Sequence, residues 1–407
     1  MVGDPENIAY TKRNLAFWQR WVDRVGTDAV PQLDHERYNL FKAAELGLRL
    51  PATAGQAARL IADLFQLISR RSYWQNGILL IDGALHSAEL SINQQITLHN
   101  QAGRLHHLLQ QHVAAIAHHT YSLSLAKTDA LVSEQLITHT HLSNAHHGAQ
   151  QYALAYQHAT FAQQLAQQQT EQSPYTQAII YNCLGLAALA RGAYPDAIDH
   201  FQQAADAFCL LQDIVQQATA LTNLGVSYER AGQLQAAHTI YLELDALLAP
   251  TDLPLAKIRV WINLGTHALK LGAYDIALTW FYKADTPFLW KSSDYQQQAF
   301  VAHNLGYTFH QLNRPEEAVV QLQRAEAIWR ATENKLNLGN TLLDLGNAYA
   351  AAQQLPHALN TLTQAVQLLS LFPDNSWAQS LADQAANHLE ALKHRLDDTT
   401  DISDLED

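Results

Sequence analysis

Two cysteines in 407 residues, Cys183 and Cys209, leave no disulfide framework to organise this chain. Each falls within an apolar helical pattern, where a free thiol behaves as a small hydrophobe, and a reducing, cytoplasmic setting is the expectation. Charge is scarce too: Asp, Glu, Lys and Arg make up 15% of the residues, against a usual share near ~25%. Gln, Asn and His take the polar positions instead. No apolar run approaches the ~20 residues of a membrane span, and no secretory signal pattern is present, so no membrane role is expected. The net charge is −13, and six acidic residues crowd between Asp397 and Asp407. No basic stripe is available to neutralise phosphates, which argues against direct nucleic-acid binding. His-Glu-x-x-His, Gly-x-Ser-x-Gly and Gly-rich phosphate loops are all missing, so neither an enzyme nor a cofactor is expected. Glycine and proline are sparse while Leu and Ala dominate the apolar set, which points to an all-α chain.

What the sequence does have is a period. Asn263-Leu264-Gly265 recurs as Asn223-Leu224-Gly225, Asn304-Leu305-Gly306 and Asp344-Leu345-Gly346, with Cys183-Leu184-Gly185 a looser copy. The glycines are spaced by 40, 40, 41 and 40 residues, and an alanine follows each by twelve: Ala197, Ala237, Ala277, Ala318 and Ala358. Ser143 with Ala155, and Gly103 with Ala115, carry the register backwards to seven units. Such a period marks helix–turn–helix units that bury their apolar faces only by stacking on neighbours. The small residue and the alanine remove side chains where the two antiparallel helices of a unit cross. Phe201, Tyr241, Phe281, Leu322 and Leu362, four residues past the alanine, fill the core. Gly192, Gly232 and Gly272 mark the turn, with Asn313 and Gln353 replacing Gly in the last two units. A glycine there ends a helix in the left-handed conformation without steric cost.

Residues 1–94 read as an N-terminal helical region, with helices around Trp18 and Trp21, from about Asp34, over 57–70 and over 76–90. Phe65, Gly77 and Ala84 mark a degenerate first repeat. The array covers 95–372, and a helix over 373–396 caps it, because a terminal repeat needs a polar outer face. The tail 397–407 has almost no apolar residues and is expected to be disordered.

Leu-Gly, then an aromatic or Ala three residues on, then Ala, then an aromatic and a second Ala resembles the tetratricopeptide (TPR) repeat; Tyr228, Phe309 and Tyr349 match its aromatic inside the first helix. The period exceeds the standard ~34 residues and is similar to the longer-helix variety of bacterial regulators and motor-protein light chains. Such a resemblance implies a right-handed α-solenoid that binds proteins or peptides. Glu36-Arg37-Tyr38-Asn39-Leu40-Phe41-Lys42-Ala43 resembles the helix that opens the TPR sensor arm of STAND-type signal-transduction ATPases. The ATPase loop itself is missing, so what is present is similar to the sensor arm alone.

Eleven of the 21 histidines lie between His99 and His158. No two histidines anywhere in the chain stand three or four apart, the spacing a metal site on one helix face requires. No metal is therefore expected, although ligation across neighbouring helices stays open. A response to pH is the other option, since imidazoles ordinarily titrate near ~6.5.

In a TPR superhelix the first helices line the concave groove, facing it at offsets −6, −3, −2, +1, +4 and +5 from the small residue. Those offsets select Asn182, Thr222, Asn223, Arg230, Arg259, Asn263, Thr266, Lys270, His303, Asn304, Tyr307, Gln311, Asn340, Asp344 and Asn347 as candidate peptide-binding residues. An asparagine offers donors and an acceptor to an extended backbone, and Arg230, Arg259 and Lys270 would favour an acidic segment in the ligand. Alternatively, the asparagine ladder bonds neighbouring helices and fixes repeat geometry. The expected function is a protein- or peptide-binding scaffold or sensor arm in a bacterial regulatory system. Two alternatives stay open: a small-molecule sensor with an apolar pocket at Trp18, Trp21 or Trp74, and a self-associating assembly platform.

Overall fold

A computed structural model describes residues 4–87, 89–127, 131–169 and 173–403, with side chains described as far as Arg395. Every element among them is an α-helix. The chain divides into two compact bodies, Met1–Ala256 and Lys257–Asp407.

Six helices open the first body: α1 (Pro5–Val25), α2 (Val30–His35), α3 (Arg37–Leu48), α4 (Pro51–Asp63), α5 (Phe65–Arg70) and α6 (Trp74–Ser87). An Asp4 cap starts α1 and Gly26 stops it. The helix expected from Asp34 is two, broken at Glu36, and the stretch 57–70 breaks at Leu64. Arg71, just after α5, lies 3.2 Å from Asp34 and also pairs with Asp252, so the opening helices are tied to a segment 181 residues away.

Four helix pairs follow. They are α7 (Ile92–Leu108) with α8 (His112–Leu125), and α9 (Val132–Gly148) with α10 (Tyr152–Gln167). Next come α11 (Pro174–Ala190) with α12 (Tyr194–Leu210), and α13 (Ile214–Arg230) with α14 (Leu234–Leu248). The boundary between the bodies falls within α15 (Pro254–Lys270), whose partner is α16 (Tyr274–Ala284). A short α17 (Pro287–Lys291), capped by Thr286, is inserted before α18 (Tyr295–Gln311). Then come α19 (Pro315–Ala331), α20 (Lys335–Ala351) and α21 (Leu355–Leu369). The expected cap falls on α22 (Ser376–Ser403). Residues 404–407 of the acidic tail lie outside the described residues, as do the side chains from 396 onward.

The turn inside each repeat is the same in all seven units. Seven residues after the small residue, φ is positive at Gln110, Gln150, Gly192, Gly232, Gly272, Asn313 and Gln353. The next amide then reaches back five residues, as from Ala193 to the Ala188 carbonyl (3.0 Å) and from Gln354 to Tyr349 (2.8 Å). That closure fixes the helix end whether or not the turn residue is glycine.

The reason for the small residue is sharper than a simple close crossing. A Cβ built on Gly185 would sit 2.7 Å from the Phe201 ring; on Gly265 it would sit 2.4 Å from Phe281, and on Gly306 2.5 Å from Leu322. The side chain sixteen residues on thus lies across the glycine, and the intervening alanines are fully buried beside it. Ser143 is the informative exception. Its partner sixteen residues on is Ala159, and the freed space lets the serine hydroxyl donate to the Ala155 carbonyl at 2.9 Å. Gly with Phe and Ser with Ala are two solutions of one volume constraint. Of the cysteines, Cys183 is buried and its thiol is pushed up to about 12 by desolvation, whereas Cys209 is exposed rather than part of the core.

Candidate functional site: the inner wall of first helices

In each body the first helices of successive repeats touch: α7 with α9, α9 with α11, α11 with α13, and α18 with α20. Second helices of successive repeats make no comparable contact. The first helices therefore form the inner wall.

In the first body, Asn223 donates its side-chain amide to the Asn182 carbonyl oxygen at 3.1 Å, bridging α13 and α11. Thr222 turns back to the Ala218 carbonyl (2.8 Å), and Arg230 is exposed at the end of α13. The register also reaches residues that the fifteen selected positions omit. Arg104, one residue after Gly103, stacks its guanidinium 4.5 Å from the centre of the Phe65 ring, and burial lowers its pKa. The His141 ring, two residues before Ser143, lies 5.2 Å from His119. Applying the same offsets to the first two repeats would have found both.

In the second body, Arg259 is engaged by Asp294 at 3.3 Å. Asp294 is 2% exposed and caps α18 by accepting from the Gln297 amide. Burial raises its carboxyl pKa, and Arg259 works against that shift. This arginine holds α15 against the start of α18, a partner 35 residues on that no helical spacing reveals. Asn347 is engaged as well, accepting from His388 of α22 at 2.8 Å. Lys270 and Gln311 are exposed at helix ends, and Thr266 is half-buried. Asn263 and Asn304 are half-buried, and among the described residues neither side chain has a hydrogen-bond partner.

The densest chemistry on this wall gathers His303, Asn340 and Asp344. Asn340 donates to His303 Nε2 at 3.3 Å, so Nδ1 carries the ring proton and donates to Thr341 at 3.1 Å. An Asp344 carboxylate oxygen lies 3.4 Å from the same Nε2. Burial holds the imidazole down at about 4 and pushes the carboxyl up to about 7. The two shifts agree with the geometry. A lone pair on Nε2 repels an ionised carboxylate but welcomes a protonated one. The Tyr307 phenol is also raised, by burial and then by Asp344 and Tyr274.

The histidines assemble across helices rather than along them. His99 and His118 bring their Nδ1 atoms to 3.0 Å, and one repeat later His139 and His158 do the same at 2.9 Å. His106 stacks on His118 and His146 on His158, each at 5.2 Å between ring centres, and Gln111 and Gln151 bond the outer rings. The whole constellation repeats at a forty-residue spacing. Burial holds His99 and His158 at about 4 and His119 at about 3, each reinforced by neighbouring cationic groups. These three rings therefore resist charging near their ordinary range. Among the described residues no group of three His, Cys, Asp or Glu is placed to hold a metal ion.

Trp74 is core, 1% exposed, with its indole N–H on the Ser69 carbonyl, while Trp18 and Trp21 pack edge to face. The concavity found in this region is a cleft of about 240 Å³ between α3 and α6, lined by Phe41, Glu45 and Leu80 among others but by no tryptophan. It is below the ~300 Å³ at which small-molecule pockets begin. Among the described residues no helix is long and apolar enough to cross a membrane.

The tetratricopeptide-repeat family model matches residues 176–244 and 297–370. Those two segments are tetratricopeptide repeats. The TPR helices are similar to those of a Rap protein complexed with competence and sporulation factor, with a TM-score of 0.54 and 15% identity over 80% of this chain and 99% of that one. Aspartyl phosphate phosphatase F from Bacillus subtilis gives 0.52 and 14%, over 88% and 93%. A signal transduction ATPase of the STAND type with a tetratricopeptide repeat sensor, from Pyrococcus horikoshii, gives 0.48 and 11%, over 81% and 54%. At these identities the likeness is one of fold. No curated protein sequence matches the chain.

Proposed function

We propose that this TPR chain is a peptide- or protein-binding scaffold, the sensor arm of a bacterial regulatory system, and that it holds an extended ligand segment against its inner wall. The observation that carries this reading is the pair Asn263 and Asn304. They recur at one register position on the wall, half-buried and unengaged, and a half-buried amide without a partner is a recognition group awaiting one. Asn223, at the same register, is bonded to Asn182, so the ladder divides: the first-body rung fixes helix spacing and the second-body rungs contact the ligand. The Rap complex with competence and sporulation factor supports the reading, since a chain of similar fold there holds a separate factor. An aspartyl phosphate phosphatase is among the similar folds, and at 14% identity that likeness is one of fold alone; the function proposed is binding without catalysis.

A displayed random decapeptide library selected on the full chain is the test, with chosen peptides then titrated by fluorescence anisotropy. Asn263→Ala combined with Asn304→Ala should weaken the selected peptides at least ~10-fold, as the loss of two hydrogen bonds implies, while the melting temperature holds. Failure to enrich any sequence, or equal affinity for the double variant, sinks the proposal. A lowered melting temperature with unchanged binding would assign both asparagines to repeat geometry.

A further inference from the structure

We propose that the wall of α18 and α20 contains a subsite for a cationic group of the ligand, a Lys or Arg side chain, with Asp344 as its counter-charge and Asn340 and Tyr307 beside it. The inference rests on the peptide-binding reading and deepens it by giving the ligand a chemistry.

Asp344 lacks a cationic partner among the described residues. Its side chain is 17% exposed, and its single ion-pair neighbour among the described residues is His303. That imidazole is neutral at physiological pH, pinned by Asn340 on one nitrogen and Thr341 on the other. Among the described residues no Lys or Arg pairs with the carboxyl: Arg259, on the first helix two repeats earlier, is taken by Asp294. The titratable groups around Asp344 are His303 and Tyr307 on α18, with Tyr274 beyond Tyr307 and His388 of α22 bonded to Asn347. None supplies a fixed positive charge. A desolvated carboxyl in this setting remains protonated up to about neutrality and would ionise fully once a cation arrived. Arginine and lysine make the strong, charge-assisted bonds that such a group lacks. A nearby phenol ring offers a face for the same cation. An acidic ligand segment, by contrast, would gain no ion pair here and would meet like charge once the carboxyl ionised.

Binding of a cation at this place also releases a proton, so affinity is tied to pH. With the free carboxyl titrating at about 7, linkage makes the affinity rise about tenfold from pH 6 to pH 8.

The selected decapeptides supply the probe. The expected result is a basic residue at one fixed position. Replacing it with norleucine should weaken binding to the wild-type chain about tenfold and leave binding to Asp344→Asn almost unchanged. The rise between pH 6 and pH 8 should be present in wild type and flat in Asp344→Asn, whose melting temperature reports that the isosteric variant is folded. Enriched peptides with no fixed basic residue would overturn the subsite while leaving peptide binding intact. So would a norleucine effect or a pH rise that persists in Asp344→Asn. A library that enriches nothing overturns both readings.

Discussion

Replacing Gly185 with alanine adds one methyl group at the centre of a repeat, and the structure says what it meets. The new Cβ would lie 2.7, 2.8 and 2.9 Å from three atoms of the Phe201 ring. Contacts under 3.0 Å must relax. A phenyl ring is rigid and fully buried here, so relaxation means moving α11 against α12. Overpacking of this kind costs about 1–3 kcal/mol. Against it stands the helix propensity of alanine over glycine, about 1 kcal/mol. The net expectation is a loss of up to about 2 kcal/mol, read as a lower urea midpoint at unchanged slope. Gly55 is the control within the same body: it is an exposed residue of α4, and a Cβ there meets nothing within 4 Å. Gly55→Ala should therefore stabilise by about 0.5–1 kcal/mol. The clash can also be relieved by design. Ser143 with Ala159 shows the alternative packing, so Phe201→Ala should cost about 3–5 kcal/mol in wild type and about 1 kcal/mol less in the Gly185→Ser background. If Gly185→Ala stabilised the chain as much as Gly55→Ala, the ring-over-glycine account of the repeat would be wrong.

Three further outcomes follow from the same geometry. The paired histidines bind protons less well when folded than when unfolded, since His99 and His158 are held at about 4 against ~6.5 in an unfolded chain. Between those values the unfolded state takes up more protons, so stability falls as pH drops from about 6.5 toward 4. Asp82 is the carboxylate that opposes the shift at His99 and His118. His118→Phe with His158→Phe should flatten the fall in melting temperature between pH 7 and pH 5, and an equal fall in the variant would reject the pairs as its source. Gln150 and Gln353 adopt φ of +60°, which costs a side-chain-bearing residue about 1–2 kcal/mol, partly offset by the ~0.5–1 kcal/mol entropy cost of glycine. Gln150→Gly and Gln353→Gly should each stabilise by up to about 1 kcal/mol in urea unfolding; a loss would mean that the glutamine side chains matter to the turn.

The array was legible because its constraints are local and periodic. One small residue, one alanine and one turn position recur every forty residues, and a turn can be located by register even where Gln or Asn replaces Gly. The N-terminal breaks at Glu36 and Leu64 were not legible, since neither position carries Pro or Gly and tertiary packing decides them. Arg259 shows the same limit at the site. Asp294 reaches it from another helix, and no helical spacing reveals that partner. The histidine pairs form between helices, from residues nineteen apart in sequence, a separation that no single-helix spacing reveals.

The division of labour inside Asn-Leu-Gly separates what packing requires from what it leaves open. Leu264 is buried, and Gly265 lies under the Phe281 ring. Both belong to the contact between the two helices of a repeat, and altering either is costly. The preceding position borders a neighbouring first helix on one side and open groove on the other. Asn223 resolves that ambiguity toward its neighbour, through Asn182. Asp344, at the same register two units past Asn263, reaches His303 on the neighbouring α18 but finds no charged partner there. One register position thus yields a bridge, an unengaged amide and an uncompensated carboxyl in different repeats. Where Asn223 bridges two helices the position serves packing; where it is unengaged it is, under the proposed function, the position at which ligand specificity would be written.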